Sequence, residues 1–387
     1  MRGLVRIIQI LVGVLFIISG LVKANDPLGL SYKMQEFFEL WNGELASSHF
    51  FLKNGLISFF DFLHNHSLAL SVFMITLEII AGMALLLGWM KNFVLWLLLL
   101  LIIFFTFLTG YAYLSGKFTN CGCFGDCLPI TPLTSFLKDL ALSVMILVLL
   151  FGRKYITPVL TSRARSAILA GSLLFSVALQ WYVLNFLPIA DCLPFKKGNN
   201  IAQQIKPPAG SVPDSFAIRF IYEKGGKQYE FAPENLPTDY ATYKFIDRKD
   251  KLVRKGNAEP AIKGFSLSGV TGEDSTQVIL SQPLSVLVFA QQLHGGAWVN
   301  DFKKVVDAAK VKSIPVYFAS QSLADAMNLL GKNNVSGVQF FNCDFTVVRT
   351  AARTDPTIFL LKNGVIVNKY STMQFDKATK DLSSQKL

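Results

Sequence analysis

Between Phe118 and Leu128 the chain reads Phe-Thr-Asn-Cys-Gly-Cys-Phe-Gly-Asp-Cys-Leu, which places three of its five cysteines within seven residues. The glycines free the backbone, so any two of Cys121, Cys123 and Cys127 can approach to disulfide distance. Thiols packed this closely have few uses. In thiol–disulfide exchange, a thiolate attacks a disulfide and a nearby second thiol resolves the mixed intermediate. In a permanent bridge, the loop would be tied down, with Cys192 as its partner. Structural zinc takes four ligands, and here three cysteines stand with no adjacent histidine, so no metal is expected. Cys343, in Phe341-Asn342-Cys343-Asp344, reads instead as a buried, inert core residue. Five is odd, so at least one thiol lacks an intramolecular partner.

A second set of residues is charged. Glu78 falls near the middle of a long apolar segment, where a carboxylate is costly unless paired or protonated. Lys23 and Lys138 are its candidate partners, and Asp139 adds an acid beside the latter. Such a group either fixes helix packing as a buried ion pair or relays protons, here to a bound quinone. The lone His294, set among glycines, reads as a loop residue.

The elements that carry these residues follow from composition. The 387 residues are 52% hydrophobic and only 16% charged, with mean hydropathy +0.42, which excludes an ordinary soluble protein and requires a lipid-embedded half. Five stretches approach the ~20 residues needed to cross a bilayer: Leu4 to Val22, Leu68 to Trp89, Phe93 to Leu114, Leu133 to Phe151 and Ser166 to Leu187. The first lacks a cleavage site and reads as a retained signal anchor. Arg2, Arg6, Lys91, Arg153, Lys154, Arg163 and Arg165 fall at one set of span ends, so the N-terminus is expected in the cytoplasm and the cysteine loop outside. All five cysteines then face outward, which in a bacterium is the oxidising periplasm. The net charge of +11 reflects these flanking residues. With no basic stripe interleaved with aromatics, nucleic acid is not an expected partner.

The first outward connection carries two amphipathic pieces, Tyr32 to Trp41 and Phe50 to Leu63, which either cap the bundle or line a lipid or quinone entrance. After Leu187, a segment rich in Lys, Gly, Asn and Pro reads as a linker. Ser215 to Glu223 and Lys227 to Phe231 form a hairpin around Lys224-Gly225-Gly226, with a third strand from Thr242 to Asp247. Beyond it, strands at Leu284 to Ala290, Ile314 to Ala319, Val338 to Phe341, Thr357 to Leu361 and Val365 to Tyr370 alternate with helices at Gly296 to Ala309 and Leu323 to Leu330. That pattern implies an α/β sandwich on a mixed sheet.

Two resemblances bear on these residues. The stretches Gly13 to Lys23, Asp26-Pro27, Leu77-Glu78-Ile79-Ile80-Ala81-Gly82 and Cys121-Gly122-Cys123-Phe124-Gly125 make residues 4–151 similar to the DoxX-like group, within it the branch of the methylamine-utilisation protein MauE. From about Glu259 onward the chain resembles a TlpA-like thioredoxin fold, carried by Asp355-Pro356-Thr357-Ile358-Phe359-Leu360-Leu361-Lys362-Asn363-Gly364. The resemblance implies a cis-proline at Pro356 beside the family's active site. Yet Gln291-Gln292-Leu293-His294-Gly295-Gly296 stands where its Cys-x-x-Cys should be. Fusions of this layout imply a Bacteroidetes inner membrane.

The expected architecture is therefore a membrane α-helical bundle of about five transmembrane helices, divided into a bundle domain (residues 1–152) and a fifth tethering helix (153–190), followed by a linker with a small β-rich segment (191–254) and a degenerate α/β thioredoxin-like periplasmic domain (255–387). The expected function is envelope thiol–disulfide redox homeostasis, with exchange at Cys121, Cys123, Cys127 and Cys192. MauE-like proteins are thought to assist disulfide maturation, which implies a periplasmic or membrane protein partner beside the lipid bilayer, and quinone as a cofactor remains open. The rival is a non-enzymatic docking subunit of an envelope complex.

Overall fold

The computed structural model describes residues 2–118, 125, 127, 130–291, 293 and 296–384. Cys121, Cys123 and His294 lie outside the described residues.

Among the described residues, five helices are long and apolar enough to cross a membrane. They are α1 (Arg2–Ala24), α4 (Ser67–Leu87), α5 (Lys91–Ser115), α6 (Pro132–Phe151) and α7 (Ser162–Phe186), with α2 (Pro27–Ser47) and α3 (Lys53–Asn65) between the first two. The sequence placed all five spans, to within four residues at each end.

Close packing orders the bundle. On α1 the buried residues Val5, Gln9, Val12, Gly13, Phe16, Ser19, Gly20 and Lys23 recur at helical spacing and form one stripe. This stripe crosses α4 backbone to backbone: a Cβ added at Gly82 would stand 2.8 Å from the carbonyl oxygen of Gly13. Small residues at a crossing allow this approach, which in lipid replaces the hydrophobic drive. Gly88 (φ +63°) ends α4 in the left-handed conformation and rests against Thr157 and Pro158. Gly152, at the end of α6, faces Val5 near the start of α1. The start of α1, the α4–α5 turn and the α6–α7 turn therefore share one end of the bundle. The opposite end holds the α1–α2 junction, the α5–α6 connection and the exit of α7.

At that end α2 buries Leu30, Met34, Phe37 and Phe38, the last of which stacks on Phe60 of α3 at 6.0 Å. These helices cap the bundle, the first of the two uses the sequence left open. Helix α7 runs along α4, where the Gln180 amide donates to Thr76 Oγ1 at 2.9 Å.

A one-turn helix α8 (Ile201–Gln204) leads to a three-stranded antiparallel sheet, ordered β2 (Lys227–Phe231), β1 (Ser215–Lys224), β3 (Lys244–Arg254). Strand β3 extends seven residues beyond the expected end at Asp247. It is exposed along its whole length, so no apolar alternation marks it in the sequence. Next come α9 (Thr276–Leu280), β4 (Ser285–Ala290), α10 (Val299–Val311), β5 (Val316–Ser320), α11 (Leu323–Lys332), β6 (Val338–Asn342), α12 (Phe345–Ala351), β7 (Thr357–Lys362), β8 (Val365–Tyr370) and α13 (Phe375–Ser383). The five strands form one mixed sheet in the order β6-β5-β4-β7-β8, with β4, β5 and β6 parallel and the other pairs antiparallel.

One face packs Trp298, Phe302, Val305, Leu330, Phe375 and Leu382 from α10, α11 and α13, together with the residue that precedes α10. The other packs Phe195, Ile201, Leu280, Val347 and Val348, bringing in the segment after α7 and helices α8, α9 and α12. With both faces covered, every residue of β4 is buried, hence its unbroken apolar run.

Candidate functional site

The three linked parts of the candidate site lie where the bundle meets the α/β domain. The first is a disulfide. Cys127, in the α5–α6 connection, is bonded to Cys192, just past α7, with a Cα–Cα separation of 4.9 Å. This is the partner the sequence named for the loop. Cys192 is exposed and Cys127 half-buried. Asn25 holds both halves in register: its carbonyl oxygen accepts from the backbone N–H of Ala190 at 2.9 Å, and its amide donates to the Ala190 carbonyl at 2.8 Å. The same amide nitrogen stands 4.0 Å from Cys127 Sγ, a hydrogen-bond distance for sulfur.

The second part lies one turn deeper, inside the bundle. Lys23 is buried and donates to both oxygens of Glu78, at 2.9 and 2.7 Å, while its ammonium sits 4.5 Å from the Phe105 ring centroid. Lys138 pairs instead with its neighbour Asp139 at 2.8 Å, and Thr109 donates to the same carboxylate. Of the two lysines offered for Glu78, the structure gives it Lys23, because residue 23 on α1 faces residue 78 across the glycine-lined crossing. The two pairs share a cavity of about 20 Å³ lined also by Ser19 and Phe105. That is room for a single water, given that a water needs roughly 10–15 Å³ measured in this way.

The third part joins the bundle to the α/β domain. Asp26, the N-cap of α2, receives Arg353 Nε at 2.8 Å, with both side chains largely buried. Tyr32 lies under the guanidinium of Arg349 at 3.9 Å, and its hydroxyl meets the Gln291 carboxamide at 2.7 Å. Burial raises the Tyr32 phenol pKa against the pull of Arg353, so the ring stays neutral. Arg349 also donates to Gln35 at 2.7 Å. Lys369 reaches Asp191, next to the disulfide, at 2.7 Å. Burial pulls the Lys369 pKa down, and Asp191 opposes that. On the sheet side, the peptide before Pro356 is cis, as the resemblance implied, and the backbone N–H of Gln291 donates to Asp355 Oδ1 at 2.8 Å. Cys343 is buried, and burial pushes its thiol up to about 12.

Asn25, Asp26 and Lys23 thus tie the disulfide, the α/β domain and the intramembrane pair to one stretch of chain. Residues 1–152 match the family model of the methylamine utilisation protein MauE. The MauE-like bundle accordingly spans α1 to α6 and holds Lys23, Glu78, Lys138, Asp139 and Cys127, whereas Cys192 lies outside it. Residues 216–255 match a domain of unknown function, DUF8463, which coincides with the three-stranded sheet. No curated protein and no solved structure matches the chain.

Sequence reasoning passed over Asn25, Tyr32, Arg349, Arg353, Asp191 and Lys369. Arg349 and Arg353, set among Thr346, Thr350, Thr354 and Asp355, carried no local signal, and neither did Asn25.

Proposed function

We propose that this multi-pass, MauE-like membrane protein has an accessory role in thiol–disulfide exchange on the outer face of a bacterial inner membrane, with Cys127 and Cys192 as the exchanging pair and Cys121 and Cys123 as further members of the relay. The observation that carries the reading is the placement of the disulfide. It joins two surface segments at one end of the bundle, and its Cys192 half is open to an incoming thiol. A bridge serving structure alone is more commonly sheltered, since exchange rates depend on access to the attacked sulfur. The basic residues at the opposite end support a cytoplasmic N-terminus and a periplasmic disulfide, where such bonds persist.

The mixed sheet and the cis peptide before Pro356 support reading the last domain as a degenerate thioredoxin-like fold. Gln291, at the end of β4, stands near where that fold carries its redox cysteines, and Cys343 is buried, so the domain brings no accessible thiol of its own among the described residues. Its part is to hold the bundle's outer end in place. The Lys23–Glu78 and Lys138–Asp139 pairs support a water-linked polar contact beneath the disulfide.

The rival reading is a non-enzymatic docking subunit, and the Gln291 end of the sheet, already engaged by Tyr32 of its own chain, would not be the surface that receives the partner. The two are separated by replacing Cys123 or Cys127 with Ser, alkylating rapidly in intact cells and searching for mixed disulfides. Adducts through the remaining cysteines are expected. A chain that forms none, with wild-type folding, belongs to the docking class.

A further inference from the structure

Resting on the exchange reading, we infer that the Cys127–Cys192 disulfide is opened in one direction: the incoming thiolate attacks Cys192 Sγ, Cys127 departs, and Asn25 is the positioning residue that sets this polarity.

The two sulfurs sit in different surroundings. Both line a narrow cleft with Val22, Asn25 and Pro188, but Cys192 is exposed whereas Cys127 is half-buried against the α1–α2 junction. Access therefore favours attack at Cys192. The departing sulfur takes up negative charge as the bond breaks, so the exchange runs faster when that charge is stabilised. At Cys127 the Asn25 amide is in place for this. One of its N–H groups is engaged by the Ala190 carbonyl at 2.8 Å, and the nitrogen lies 4.0 Å from Cys127 Sγ, leaving the second N–H for the sulfur. The Ala190 carbonyl oxygen stands closer to Cys192 Sγ, at 3.6 Å, than to Cys127 Sγ, at 4.0 Å, and among the described residues the Asn25 amide is within hydrogen-bond distance of Cys127 alone. Charge is opposed by the carbonyl more closely on Cys192, and only on Cys127 does an amide donor offset it.

The step balances without any further oxidant. A thiolate R–S⁻ of a small or protein thiol forms a bond to Cys192 Sγ, and the electron pair of the broken Cys127–Cys192 bond leaves on Cys127 Sγ. The products are an R–S–S–Cys192 mixed disulfide and a Cys127 thiolate beside Asn25. A second thiolate of the donor then attacks the R sulfur, which releases Cys192 as a thiolate that is protonated from water. The protein pair ends reduced and the donor ends as a disulfide. Through its paired hydrogen bonds to Ala190, Asn25 also keeps the Cys192 segment turned outward during the attack.

The test uses the full oxidised chain in lipid nanodiscs, with reduced glutathione as the thiol. Samples are acid-quenched over a time course, free thiols are alkylated with N-ethylmaleimide, and peptides are mapped by mass spectrometry. The earliest adduct is expected to carry glutathione on Cys192 and maleimide on Cys127, in about ten-fold excess over the reverse, since leaving-group stabilisation and access act together. An even or reversed partition overturns the polarity and leaves the exchange reading standing. No adduct on either sulfur while the bond persists overturns the exchange reading itself. Asn25→Asp keeps the shape and the acceptor for Ala190 but removes the N–H aimed at sulfur. It is expected to cut the excess to the part that access alone supplies and to raise the pH at which reduced Cys127 becomes alkylated. A partition and pH profile unchanged in N25D remove Asn25 from the assignment.

Discussion

At the scale of single residues, burial separates the cysteines. Cys343 is enclosed by the core under the sheet, and burial, helped by Asp344, pushes its thiol up to about 12 from the ordinary 9.0. Below pH 9.0 this costs the fold nothing; between 9.0 and about 12 the folded chain keeps a proton that the unfolded chain has released. Stability from this residue is therefore lost as pH rises through that window. Cys343→Ala is expected to flatten the alkaline limb of a stability profile measured by thermal unfolding, and wild-type Cys343 is expected to resist maleimide at pH 8 until the chain unfolds. Glu78 gives a second residue-scale expectation. Replacing one member of a buried ion pair strands its partner at a cost of about 3–5 kcal/mol, whereas replacing both with apolar residues is close to neutral. Glu78→Leu alone should lower the melting temperature in detergent markedly, and adding Lys23→Met should restore most of the loss. If the double variant is no better than the single, the pair is not acting as a unit.

At the scale of elements, the spans were legible because apolar runs of membrane length have few other uses. The strands β2 and β8 were legible to the residue, since a hairpin turn fixes where each begins or ends. Helices α12 and α13 were not recognised. Each is short and anchors itself with only a few apolar residues, such as Phe375, Ala378 and Leu382 on α13, amid polar ones. Helix propensity says little at that length, and the sheet decides. The α1–α4 crossing makes its own prediction. Gly82→Ala would press a methyl group to 2.8 Å from the Gly13 carbonyl oxygen, which a backbone atom cannot yield to cheaply. A loss of about 1–3 kcal/mol is expected, read as a lower melting temperature together with a weakened Lys23–Glu78 pair. Gly171→Ala on α7, whose Cβ meets nothing within 4 Å, is the control and should be silent.

At the scale of the whole molecule, the sequence identified the membrane spans and most strands of the sheets but not how the bundle and the α/β domain meet. The pairings across that junction span hundreds of residues, as Asp26 with Arg353 and Gln35 with Arg349 do, and no local pattern encodes them. The likeness of residues 1–152 to MauE supports a membrane accessory role, and the contacts beyond that span extend it. Asp26→Asn should take the carboxylate from the buried Arg353 and loosen the α/β domain from the bundle, which hydrogen exchange would register as faster amide exchange in α2 and α12 with the sheet core unchanged. Equal protection in both proteins would mean that the junction does not depend on this pair.

The measurement that bears most directly on the proposed function is the reactivity of the Cys127–Cys192 bond in the folded chain. In native membranes, a graded series of thiol donors is applied without denaturant, and the two cysteines are trapped and quantified over minutes. Reversible opening, with Cys192 acquiring the donor and the bond reforming when the donor is withdrawn, is the expected result. A bond that stays closed at every donor strength until the protein is unfolded would contradict exchange and leave Cys127 and Cys192 as a structural clasp.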